Sequence, residues 1–154
     1  MSLVWGLNFV CLSAKLMVKT YKDILKVKKQ ALENARLKLL SAEHNKIKAQ
    51  NDVLNMQSQI DEMVAFKTTS ISEMTFVSEN IQNLIKVKRT LEEKVRLCEK
   101  EIVHYKHVYK LANIDYEKIQ HLYEEELKLY KMSLEKKQAL ELDEIATMLF
   151  KKQE

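Results

Sequence analysis

Glu101-x-x-His104 is the one spacing in this chain that matches a known metal-ligand pattern. A glutamate and a histidine three residues apart share a helix face, as the ligands of di-iron carboxylate bundles do. Such a centre needs a second Glu-x-x-His and two further inward glutamates, and the sequence has neither. The other histidines are His44, His107 and His121, and no His-Glu-x-x-His, Cys-x-x-Cys or glycine-rich phosphate loop accompanies them. Cys11 and Cys98 are the only cysteines, so a disulfide framework is excluded and a reducing compartment is the ordinary setting. No enzyme, metal site, cofactor or small-molecule ligand is expected.

The elements that would have to position these residues argue the same way. Steps of three and four residues from Val4 trace one unbroken register to Tyr123. Only Lys28, Lys46, Lys67, Ser70 and Lys88 depart from apolar, Ala, Cys or Tyr along it. A stripe of period 3.5 drifts around a straight helix, and helices that keep burying it supercoil left-handedly. The chain has 154 residues, one glycine (Gly6) and no proline, so nothing marks the turns that a globular domain needs. The expected fold is all-α: one long, nearly continuous helix forming a left-handed coiled coil. A helix of that kind has no interior and no concave pocket for catalysis, and it must bury its stripe against another helix. The candidate partner-binding seam is Leu25, Leu32, Leu39, Val53, Ile60, Ile81, Leu84, Leu91, Val95, Ile102, Tyr105, Tyr109, Tyr116, Ile119 and Tyr123.

Seam chemistry sets further expectations. With Val4 at position a, Ala35, Ala42 and Ala49 fall at d, where small side chains let two backbones approach closely. Lys46, Lys67 and Lys88 recur at a, and a lysine there penalises higher-order bundles and slipped registers. In a parallel in-register pair, Lys38 meets Glu43, Lys94 meets Glu99 and Glu101 meets Lys106, all of opposite charge. Against this stand apolar flank residues such as Ile24, Val64, Ile85 and Leu122, which widen the stripe and favour more helices or an unlike partner. The five seam tyrosines from Tyr105 to Tyr130 form either a thick core or a docking segment.

Three segments follow. Residues 1–17 are an apolar N-terminal segment, uncharged through Ala14, without the basic start of a secretory signal and too short to span a bilayer. Residues 18–123 are the coiled-coil rod. Its run Phe-Lys-Thr-Thr-Ser-Ile-Ser at 66–72 is poor in helix formers, and Ser70 with Glu73 fits a capping box. Because the register passes through it in phase, we expect a soft spot in a continuous helix, with a hinge or hairpin turn as the alternative. Residues 124–154 are a loosened, phase-shifted helical segment. There Glu126 and Lys137 occupy old seam positions while Leu127, Tyr130 and Leu134 are apolar, a stutter near 124–140.

Net charge is +4, unevenly spread. Residues 15–50 carry ten Lys or Arg against three Asp or Glu, and residues 51–85 carry one against five. Carried by the seam residues above, the chain resembles eukaryotic coiled-coil subunits of chromosome-associated, kinetochore, centrosomal and cytoskeletal scaffolds. That resemblance implies a non-catalytic scaffold, cytoplasmic or nuclear and not secreted. It would act through helix–helix dimerisation and partner docking, with a parallel homodimer or another coiled-coil protein as partner. The alternative is a basic module that binds nucleic acid or anionic membrane through residues 15–38. Its contacts would be Lys15, Lys19, Lys22, Lys26, Lys28, Lys29, Arg36 and Lys38.

Overall fold

The computed structural model describes residues 2–66 and 70–151, with side chains from residue 9 onward. The described residues form two helices, α1 (Ser2–Ala65) and α2 (Ile71–Lys151). One long continuous helix is therefore corrected to two. The break falls on the run that is poor in helix formers. At the end of α1 the Phe66 N–H donates to the Met63 carbonyl at 3.2 Å, which tightens the last turn. Ser70 stands just before α2, and its carbonyl accepts from the Met74 N–H at 3.0 Å. This is the N-cap position of the Ser-x-x-Glu pattern, and Glu73 adds a negative charge in the first turn. Thr68, Thr69 and the seam position Lys67 lie outside the described residues. Phase continuity through 67, 70 and 74 did not discriminate, because two helices can share one heptad count whether or not the chain turns between them.

The chain divides into two compact units, one of Met1–Glu33 with Leu111–Glu154 and one of Asn34–Lys110. In the second unit the helices run antiparallel. Lys46 Nζ lies 3.0 Å from Glu99 Oε1, and Lys88 Nζ donates to Gln57 Oε1 at 2.6 Å. The numbers of both pairs add to 145, which fixes one register. Glu99 and Gln57 each follow a d position by one residue, so the a and d layers add to 144, with Ala42 opposite Ile102, Ala49 opposite Val95 and Ile60 opposite Leu84. The core sits there: Ala42 and Ala49 are 2% and 0% exposed, and Ala35, Ile60, Cys98 and Ile102 are also buried. Alanines thus face large side chains across the seam, so the close backbone approach still leaves well-filled layers.

The first unit pairs its two helix segments antiparallel as well. Lys28 Nζ donates to Asp115 Oδ2 at 2.7 Å, while Tyr123 lines a groove with Val18 and Lys22. Beyond Tyr123 the half-buried positions are Glu126, Leu127, Tyr130, Ser133 and Lys137. These keep the earlier spacing, so the expected stutter is a change of residue type along an unbroken stripe. Polar residues are tolerated there because Ser133 Oγ donates to the Tyr130 carbonyl at 2.7 Å and Lys137 reaches Glu141 at 3.7 Å. From Gln138 to Lys151 every residue is exposed.

Candidate functional site

The seam residues lie where two helices face each other within a unit. In the second unit, Leu39, Val53, Ile81, Leu84, Leu91, Val95, Tyr105 and Tyr109 are half-buried, and Ile60 and Ile102 are buried. In the first unit, Leu25, Leu32, Tyr116, Ile119 and Tyr123 are half-buried. The helix covering each of them belongs to the same chain and runs antiparallel, where the sequence suggested a parallel second copy. Cys98, at d in the buried core of the second unit, stands opposite Lys46, so a parallel pair meeting through Cys98 would first have to open this packing.

The seam lysines form the polar part of this interface. Lys28, Lys46 and Lys88 each keep the stem in the stripe and send the ammonium to an acceptor on the opposing helix. Lys88 reaches Gln57, whose Nε2 donates to Asp61 Oδ1 at 2.6 Å, and Glu92 lies 3.6 Å from the same ammonium. Lys28 holds the Asp115 carboxyl below its ordinary value of 3.8, first by the hydrogen bond and then by its charge. Sequence reasoning identified the lysines but not Asp115 or Gln57, and it gave Glu99 to Lys94 where the structure pairs it with Lys46. Their flank positions come to the lysines only when the partner helix is run backwards.

Other chemistry-bearing residues lie outside the seam. His104 packs its ring edge on Tyr105, with centroids 5.3 Å apart, and His121 lies 3.5 Å from Glu125. Among the described residues no group of three or more His, Cys, Asp or Glu could hold a metal ion. No helix among them is long and apolar enough to cross a membrane. Of the basic candidates, Lys28 is taken by Asp115, while Lys15, Lys19, Lys22, Lys26, Lys29, Arg36 and Lys38 are exposed.

A second apolar stripe escaped the sequence reading. Leu40, Ile47 and Leu54 are seven residues apart on α1 and are 50%, 56% and 66% exposed. Beside Leu54, a shallow groove of about 420 Å³ is lined by Gln50, Val53, Glu92 and Val95. The signal was present in the sequence as a heptad repeat at position b, outside the stripe at a and d.

A family model described as "Flagellar FliJ protein" matches residues 18–154. The chain belongs to the flagellar FliJ family. No curated protein and no solved structure gives a match. FliJ proteins are a non-enzymatic, helical coiled-coil family of the bacterial flagellar export apparatus. Family membership overturns the nuclear setting, the eukaryotic scaffold resemblance and the chromosome or cytoskeletal association. The coiled-coil nature and the absence of catalysis stand.

Proposed function

We propose that this chain is a structural component of the flagellar export apparatus, in the bacterial cytoplasm beside the basal body. It pairs its own helices through the seam and offers their outer faces to other proteins of that apparatus. Beyond family membership, one observation supports this. The stripe that needs a partner helix already has one in the same chain, while Leu40, Ile47 and Leu54 stay half or more exposed at heptad spacing. A stripe of that spacing and exposure suits a further helix in groove-type docking. Seam residues then hold the scaffold, and outer residues recognise partners.

The test is complementation. The chain is expressed in a motile bacterium that lacks its own FliJ, and swimming is scored on soft agar. Wild-type chain should restore swimming. A Leu40→Glu, Ile47→Glu, Leu54→Glu variant should not, although its circular dichroism stays helical. Full swimming by that variant would place the docking elsewhere.

A further inference from the structure

We infer that the Asn34–Lys110 unit carries a second docking site, beside the ends of its two helices near 66–71, built for a basic amphipathic helix of another protein. A groove of about 750 Å³ opens there. Its walls are Met63, Phe66, Phe76, Val77 and Leu84, and Glu62 lies on its rim. The exposure of its apolar side chains sets this groove apart from ordinary surface. Phe66 and Phe76 are each 66% exposed, with Val64, Ile71 and Met74 nearby at 60% or more. Exposing two phenylalanines forfeits burial that either helix could have used, and an exposed apolar groove of this kind marks an interaction surface.

Charge selects the occupant. Residues 51–85 carry one basic residue against five acidic ones. Glu62 lines the groove within this acidic stretch, so its apolar floor sits in a negative field. An acidic helix or an anionic lipid surface would be repelled. A helix with two or three aliphatic side chains at i, i+3 and i+4, flanked by Lys or Arg, satisfies floor and rim together. The trough between two antiparallel helices also suits a third helix packing ridge into groove.

The experiment uses the full chain and a fluorescein-labelled helical peptide of Leu, Ala and Lys, with Leu at i, i+3, i+4 and i+7, followed by fluorescence anisotropy. The wild-type chain should bind it and ignore the counterpart in which Glu replaces Lys. Phe66→Ala with Phe76→Ala should weaken binding about tenfold or more. Circular dichroism melting should barely move, because both rings are largely exposed. Glu62→Gln should weaken binding and flatten its dependence on salt. Equal binding of the acidic peptide, or binding indifferent to these variants, overturns the inference. So does light scattering that finds a dimer dissolved by the double phenylalanine variant, since a second copy would then be the occupant. Phenylalanine-dependent binding to vesicles of anionic lipid would overturn it equally.

Discussion

Lys28, Lys46 and Lys88 show how a charged side chain is accommodated in an apolar stripe. The methylenes stay in the seam and the ammonium exits to an acceptor on the opposing helix, so no charge is buried unpaired. Because these groups are partly exposed, their pairing specifies register more than it stabilises. Lys46→Leu should therefore raise thermal stability by about 1 kcal/mol, since it exchanges a desolvated stem and ammonium for apolar packing. A lower melting temperature by circular dichroism would refute that balance. Asp115 gives a pH test. Its folded pKa lies below 3.8, so the pair's contribution is complete above that value and fades as pH falls towards the folded value. A carbon-13 NMR titration should find the Asp115 midpoint below 3.8 in the wild type and higher in Lys28→Met. An identical midpoint in both would remove Lys28 as the cause.

Each helix of the second unit depends on alternating small and large layers. Ala49 is 0% exposed opposite Val95, so there is no room for three more carbons. Ala49→Leu should cost about 1–3 kcal/mol by overpacking. Ile102→Ala opens a void opposite an alanine, at about 2–5 kcal/mol, the larger end if the helices cannot close in. Thermal melts of both variants check this pair. If Ala49→Leu were the stabilising change, Ala49 would not be packed as described. The helices themselves were legible in residue types. Without Gly or Pro after Gly6, and with a stripe at a and d, little else could form. The break was legible too, in Phe66 to Ser72, but its outcome was not. Those residues permit a turn without requiring one, and only the gain from pairing α1 with α2 makes turning favourable.

Within each unit the seam of one helix segment is covered by the other segment of the same chain. In a Cys11→Ser, Lys46→Cys variant, position 46 should come opposite native Cys98, at a separation near the ~4.4–6.8 Å between Cα atoms that a disulfide spans. Mild oxidation should give an intrachain bridge in a species of 18.2 kDa by light scattering, with no covalent dimer on non-reducing gels. A Cys98-linked dimer would restore the parallel homodimer. By itself the sequence determined the helical class, the apolar stripe and the lack of catalytic apparatus, because period, composition and missing motifs are local properties. It did not determine orientation. Lys38 with Glu43 and Lys94 with Glu99 satisfy a parallel pair. Yet the antiparallel arrangement satisfies charges as well, with Lys46 on Glu99 and Lys28 on Asp115. Exposed charge pairs are too weak to choose between the two arrangements. The tertiary structure decided it through the tethered partner: α2 follows α1 across a short connection, at a far higher effective concentration than any second chain.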